Sequence, residues 1–218
     1  EAIRQTALET LTVGRQLADA LGVELIAVLL GPPGLATETG TLGTHGADRV
    51  LTGFSDALAE YVPEGYAELV AKAARDSGAK AVVFSAGAQG KDLAPRVAAR
   101  LKVGLASDVT EVGVEDGRVV AVRPAYAGKV FMRVSFKSEP AVFSVRPRAY
   151  KAAESPREAQ VDQLAVDADP AARTKVQSVA EAAEERPDVA EAEIIVAGGR
   201  GLGGPENWKL IEELANVL

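Results

Sequence analysis

The 218-residue sequence has no cysteine, a single histidine and few aromatic residues. Without cysteine it can form no disulfide, iron–sulfur cluster or cysteine-based zinc site. The lone histidine, His45, cannot build a multi-histidine metal site, and no nucleophile or second ligand lies near it, so we expect a structural role. The aromatic fraction of 5% leaves no strip of side chains on which single-stranded nucleic acid could stack.

Long apolar runs and an excess of positive charge are also missing. The run over residues 25–30 is far shorter than the roughly 18 residues that a membrane-spanning helix needs, so we expect no direct membrane insertion. A formal charge of -7 argues against binding nucleic acid, which requires clustered lysine and arginine. No signal peptide is recognisable at the start of the sequence, and an intracellular location is expected.

Over the first hundred residues, apolar residues at helical spacing alternate with short, continuous apolar runs. Buried strands are predicted over residues 24–30 and 80–85, and a short strand over 49–52. The predicted helices carry the following apolar residues: Leu8, Leu11, Ala18 and Leu21; Tyr66, Leu69, Val70, Ala73 and Ala74; and Leu93, Val97 and Leu101. This alternation predicts an α/β fold with a parallel, Rossmann-like sheet and right-handed crossovers.

After Leu105 the pattern changes to short strands separated by turn residues, which predicts an antiparallel extension of the sheet. The four predicted strands are residues 109–114, 118–123, 130–136 and 141–145. Two further strands are predicted over residues 161–166 and 174–179.

The acidic segment 180–188 has no apolar stripe and predicts a domain boundary near residue 187. We therefore expect an N-terminal α/β domain over residues 1–186 and the start of a second α/β domain over 187–218. In that second domain we predict a strand over residues 193–197, a glycine-rich turn, and a helix with apolar residues Leu210, Ile211, Leu214, Val217 and Leu218.

The turn over residues 199–204 fits the pattern G-x-G-x-x-G between a predicted strand and a predicted helix. Glycines let a backbone approach a phosphate, and the free amides at a helix start favour an anion. Arg200, with a planar and permanent charge, suits a phosphate or a flavin ring. The turn could equally be only structural, and a nicotinamide site would need an acidic ribose ligand about 20 residues further on.

Other candidate residues are interpreted as structural. The turn over residues 87–90 is expected to be an ordinary strand-to-helix turn, with Lys91, Arg96 and Arg100 on a solvated helix face or against an acidic partner. Trp208 is expected to pack on its helix. No nucleophile elbow or similar signature is present, so we predict that the protein is not an enzyme acting through its side chains.

Several motifs, in order along the chain, resemble the alpha subunit of electron transfer flavoproteins. They are Gly-Lys-Asp-Leu-Ala-Pro-Arg-Val-Ala-Ala-Arg-Leu over residues 90–101, Ser-Asp-Val-Thr over 107–110, Arg-Pro-Ala-Tyr-Ala-Gly-Lys over 123–129, Val-Arg-Pro over 145–147 and the segment 196–210 around the glycine turn. The resemblance covers essentially the whole sequence. It implies that residues 1–186 form the scaffold that meets a partner subunit and that the flavin domain begins at residue 187.

The resemblance also implies a function. Such a subunit forms a heterodimer with a beta subunit, binds FAD, accepts electrons from acyl-CoA and related dehydrogenases of fatty acid beta-oxidation, and passes them to a quinone oxidoreductase. The expected FAD contacts are Arg200, Gly199 and Gly201. The expected location is the bacterial cytoplasm, or the mitochondrial matrix in a eukaryote. A nicotinamide-dependent dehydrogenase fragment and a protein-interaction module remain the alternatives.

The family pattern predicts that the 218-residue polypeptide alone binds FAD weakly or not at all, because most flavin contacts in the family come from a longer flavin domain. Purified polypeptide should therefore show no stoichiometric flavin absorption after incubation with FAD and gel filtration. A bound flavin in a one-to-one ratio would contradict this expectation.

Overall fold

A computed structural model describes residues 3–166, 174, 176–178, 189, 192 and 194–218. The chain divides into two compact units, residues 1–177 and 178–218. The domain boundary predicted near residue 187, and the acidic segment 180–188, lie outside the described residues. The position of that boundary stays a prediction.

The first unit contains four α-helices and nine strands among its described residues. The helices are α1 (Gln5–Leu21), α2 (Thr39–Thr44), α3 (Pro63–Asp76) and α4 (Ala88–Leu101). The strands are β1 (Ile26–Gly31), β2 (Arg49–Phe54), β3 (Ala81–Ser85), β4 (Leu105–Val109), β5 (Glu111–Glu115), β6 (Arg118–Ala125), β7 (Val130–Ser135), β8 (Ala141–Val145) and β9 (Gln160–Gln163).

The strands form two parallel sheets and one antiparallel sheet. The parallel sheets have the orders β1-β2-β9 and β3-β8-β4, and the antiparallel sheet has the order β5-β6-β7. The predicted α/β class, with parallel sheets and an antiparallel extension, is confirmed.

The predicted place of residues 141–145 in the antiparallel extension is wrong. These residues form β8, which lies between β3 and β4 and runs parallel to both. All five residues of β8 are buried, as expected for a strand covered on both faces. The preceding turn residues suggested another hairpin, but burial of the continuous apolar run determined its position.

The predicted strand over residues 109–114 proves to be parts of two strands. Leu105–Val109 forms β4 in a parallel sheet, and Glu111–Glu115 forms β5 in the antiparallel sheet. Asp108 has a left-handed φ of 59°, and the pairing of β4 with β8 shifts between Ala106 and Val109. This backbone irregularity lets the chain leave one sheet and enter the next.

The remaining local predictions are largely confirmed. Helix α1 ends at Gly22, whose φ of 66° is the left-handed conformation favoured after a helix. The strand predicted over residues 161–166 is present as β9. The described residues of the predicted strand 174–179, which are 174 and 176–178, are not in a strand. In the described part of the chain no helix is long and apolar enough to cross a membrane.

A partly buried ion pair fixes α1 against the first parallel sheet. The Arg15 guanidinium lies 2.6 Å from an Asp48 carboxylate oxygen, and the same oxygen accepts a 2.8 Å bond from the Leu25 N–H. Burial alone would raise the pKa of Asp48, but the bonds from Leu25 and Arg15 outweigh it, and the pKa lies below its usual value. The pair thus connects α1 with the residues immediately before β1 and β2.

The apolar core between α1, the second parallel sheet and the antiparallel sheet centres on Phe143 of β8. Phe143 is 0% exposed and packs with Val13, Leu17 and Val109, among others. Its ring centroid lies 6.1 Å from that of Phe136. A second cluster, between α3, α4 and β8, includes Val97 and Val142. Residues of β8 therefore contribute to the core on both faces of the sheet.

Replacing Phe143 by alanine should lower the free energy of unfolding by about 3–5 kcal/mol, because it removes a fully buried ring and leaves a cavity. Phe131 offers a matched control, since 64% of it is exposed, and Phe131→Ala should change stability by about 0.5 kcal/mol or less. Urea unfolding followed by circular dichroism measures both. Equal losses for the two variants would contradict this account of the core.

Candidate cofactor-binding turn

The second unit contains the glycine-rich turn and one α-helix among its described residues. Two short 3₁₀ turns, Arg200–Leu202 and Pro205–Asn207, precede helix α5 (Lys209–Val217). Residues 194–197 of the predicted strand 193–197 form no strand, because no described segment of this unit pairs with them. Pro205 opens the second 3₁₀ turn, and the α-helix begins only at Lys209.

Gly198 is where the turn approaches the helix most closely. A Cβ placed on Gly198 would lie 2.9 Å from Trp208 Cζ3 and 3.0 Å from Ile211 Cγ1. It would also lie 2.5 Å from Leu202 Cδ1. Only glycine therefore lets the segment before the turn pack against the start of α5. This contact explains why Trp208, although 46% exposed, packs at the helix start as predicted.

Gly199 and Gly201 have a different environment from Gly198. A Cβ at either position would have no neighbouring heavy atom within 4 Å. Local backbone bonds hold the turn: Leu202 N–H donates to Gly199 O at 3.0 Å, and Gly203 N–H donates to Arg200 O at 3.2 Å. Space is therefore open beside both glycines, where another molecule could approach the backbone.

Arg200 is exposed at the mouth of a shallow depression of about 320 Å³, which is lined by residues 199–200, 202–205 and Trp208. Among the described residues, no carboxylate or hydrogen-bond acceptor engages its guanidinium. Of the three predicted contacts, Arg200 and Gly199 line the depression and Gly201 adjoins it in the chain. A permanent, unpaired cation beside an open backbone can hold an anion.

The Glu206 side chain limits where such an anion could lie. Its carboxylate folds back over Gly204 and occupies the space that a Cβ there would need. Because like charges repel, a phosphate would be disfavoured at Gly204 and favoured near Arg200 and Gly199. This asymmetry within the turn could not be read from the glycine pattern.

Gly90, in the second glycine turn, has a structural reason to be glycine. A Cβ on Gly90 would overlap the carbonyl oxygen of Ser85, so glycine is needed where α4 starts against the end of β3. Gly87 precedes α4 with an ordinary φ of -68°. Helix α4 in fact begins at Ala88, within the predicted turn.

Three other candidate side chains, His45, Arg96 and Arg100, have partners within the fold. His45 Nδ1 lies 2.9 Å from Thr41 O at the end of α2. Arg96 pairs with Asp92 at 2.9 Å and Arg100 with Glu68 at 3.2 Å, which supports a solvated helix face. Within the described ranges, no group of three or more metal-binding side chains comes together.

The fold and the turn together define an α/β protein with an open, glycine-rich turn ahead of a helix. The family model for the electron transfer flavoprotein domain matches residues 1–198. The electron transfer flavoprotein subunit alpha of Clostridium acetobutylicum is 34% identical, over 99% of this chain and 66% of its own length. The electron transfer flavoprotein subunit alpha of Bacillus subtilis and Protein FixB of Clostridium saccharobutylicum are each 36% identical to this chain. Both matches cover 99% of this chain and 66% of the relative's length.

The chain therefore belongs to the electron transfer flavoprotein family, which confirms the resemblance predicted from its motifs. It spans about two thirds of the length of these curated relatives. The family match ends at residue 198, directly before the predicted contacts Gly199, Arg200 and Gly201. The role of these three residues stays a prediction.

The close contact at Gly198 predicts an effect that the single tryptophan can report. Gly198→Ala should push Trp208 away from the turn and shift its fluorescence emission to longer wavelength, because the ring becomes more exposed to water. Gly199→Ala is the matched control and should leave the emission unchanged, since its Cβ would enter open space. Identical spectra for both variants would contradict the packing described for Gly198.

Proposed function

We propose that this chain is part of an electron-carrier subunit that works as a heterodimer with a beta subunit and FAD. In this proposal the heterodimer accepts electrons from acyl-CoA and related dehydrogenases and passes them to a quinone oxidoreductase, as a carrier and not as an enzyme. It serves fatty acid beta-oxidation in the bacterial cytoplasm or the mitochondrial matrix. Family membership is the observation that carries the proposal.

The glycine turn supports a flavin site in this unit. Arg200 offers a charged, planar group without a described counter-ion, and Gly199 and Gly201 leave the backbone accessible beside it. These features fit the diphosphate or the ring system of FAD. FAD would supply the electron-carrying chemistry, while the chain's own residues would bind and orient it.

The site proposed here is only part of a flavin site. The relatives are longer than the match, and we assign the remaining flavin contacts to the rest of the full-length subunit and to the beta subunit. The apolar residues of α5 agree with this assignment. Leu210 and Leu214 are 62% and 50% exposed, and in a complete flavin domain they would pack against further strands.

The first unit is proposed as the scaffold that meets the beta subunit. It holds the three sheets, the two core clusters described above and a third cluster that includes Leu11, Leu29 and Val50, whereas the described part of the second unit has no buried residue. A stable core of this kind provides a rigid body on which a partner subunit can dock.

The proposal is tested in the full-length subunit co-expressed with its beta subunit. Arg200→Ala should lower the FAD affinity by about tenfold or more, because it removes a charged hydrogen-bond donor. Arg200→Lys should be intermediate, since lysine keeps the charge but loses the planar fork. Lys209→Ala is the control, because Lys209 is exposed and lies 3.5 Å from Glu213. Bound flavin is measured from the visible spectrum.

Flavin retention equal to that of the unaltered protein in a folded Arg200→Ala heterodimer would contradict the role of Arg200 and favour a purely structural turn. Calorimetry with NADH separates the other alternative. Tight binding of NADH together with no binding of FAD would favour a nicotinamide-dependent dehydrogenase.

A further inference from the structure

Four of the motifs found in the sequence meet at one edge of the second parallel sheet, where β3, β8 and β4 end. Backbone hydrogen bonds hold the segments side by side: Ala86 N–H donates to Val145 O at 2.7 Å, and Arg146 N–H donates to Val109 O at 2.9 Å. Next to them, Thr110 N–H donates to Val122 O at 2.8 Å. Ligands of open parallel sheets bind outside the carboxyl ends of the strands, which is this edge.

Each of these segments contributes a charged side chain to what we term the strand-end cluster: Lys91, Asp108, Arg123 and Arg146. Lys91 lies in the first turn of α4, Arg146 directly follows β8, and Arg123 lies in β6 beside the Val122 bond. The cluster contains three cations and one carboxylate. The cluster has a local charge of about +2 within a chain whose net charge is -7.

The carboxylate of the cluster, Asp108, already forms an ion pair with Arg146. Arg146 donates to both Asp108 oxygens, at 3.1 and 2.6 Å, and Asp108 N–H donates to Ser144 Oγ at 3.0 Å. Arg146 is the main cause of a lowered pKa of Asp108, and Lys91 and Arg123 add to it, so both lie within electrostatic range of the carboxylate. Asp108 cannot neutralise all three cations.

Two cations of the cluster lack a counter-ion among the described residues. Arg123 is partly buried, and its Nε is shielded from solvent without a hydrogen-bond partner. Lys91 is exposed and makes no ion pair with any described side chain. A partly buried guanidinium that no carboxylate anchors is costly, because its desolvation is not repaid. An anion held between Arg123 and Lys91 would remove that cost.

We propose that the strand-end cluster binds the phosphate group of a small molecule. A phosphate dianion matches the excess charge of about +2, whereas a single carboxylate would leave one cation uncompensated. Arginine and lysine together are the usual partners of phosphate oxygens. The first turn of α4, which no side chain caps, adds backbone amides on the same side. The residues of this site all belong to the first unit, and the proposal does not depend on the flavin proposal.

The proposal is tested by calorimetry with inorganic phosphate on the 218-residue chain, at constant ionic strength maintained with sodium chloride. We expect saturable binding of one phosphate per chain. Lys91→Gln and Arg123→Gln should each weaken it about tenfold. Lys72→Gln is the matched control, because Lys72 is exposed on α3 and already pairs with Asp76, and it should leave the affinity unchanged.

A phosphomonoester, glycerol phosphate, distinguishes a free phosphate ion from an organic ligand. Tighter binding of the ester indicates an organic phosphate, and equal binding indicates free phosphate. Both results support the site if they respond to Lys91→Gln. Lys91 is exposed in the first turn of α4, so Lys91→Gln should not disturb folding. This variant therefore tests the site even if Arg123→Gln reduces folding.

Absence of saturable phosphate binding would overturn the proposal, as would an equal loss of affinity in Lys72→Gln. Tighter binding of a polyglutamate peptide than of either phosphate, with the same dependence on Lys91, would also overturn it. In that case the cluster would be a contact surface for an acidic protein.

Discussion

The complete burial of β8 is the constraint on which the first unit depends. Residues 141–145 enter the second parallel sheet between β3 and β4, although the chain reaches them only after the whole antiparallel sheet has been built. Because β8 pairs on both sides and contributes to the core on both faces, neither neighbouring strand could keep its place without it. The three strands of the antiparallel sheet, β5, β6 and β7, thus form an insertion in the chain between β4 and β8.

The position of β8 also determines which charged side chains become neighbours. With β8 between them, β3 and β4 end at one edge, and the residues just beyond these ends become neighbours. Asp108 and Arg146 are 38 residues apart in sequence, yet they form a two-point ion pair there. The left-handed backbone at Asp108 coincides with a shift in the pairing of β4 with β8, which resumes at Val109 before the chain passes to β5. A single packing requirement thus sets both the sheet order and the arrangement of polar groups at its edge.

Sequence reasoning succeeded where the signal was local and failed where it depended on distant pairing. The helix α3 follows from the spacing of its apolar residues alone. The partners of residues 141–145 do not, because alternation and turn residues look alike in a hairpin and in a return to a buried strand. The glycine turn was found by its pattern, but the pattern starts at Gly199, and the tightly packed Gly198 lies one residue before it.

The two features that we propose as anion sites differ in how the fold positions them. Around Arg200 a single cation lies on short 3₁₀ turns, and Glu206 opposes negative charge on one side. In the strand-end cluster, backbone bonds at the end of a buried sheet join the segments that carry the side chains. Preorganised groups bind with less loss of conformational freedom. In the proposed flavin site, the turn at Arg200 would therefore need additional protein to hold a dinucleotide, whereas the segments of the strand-end cluster are already joined within the first unit.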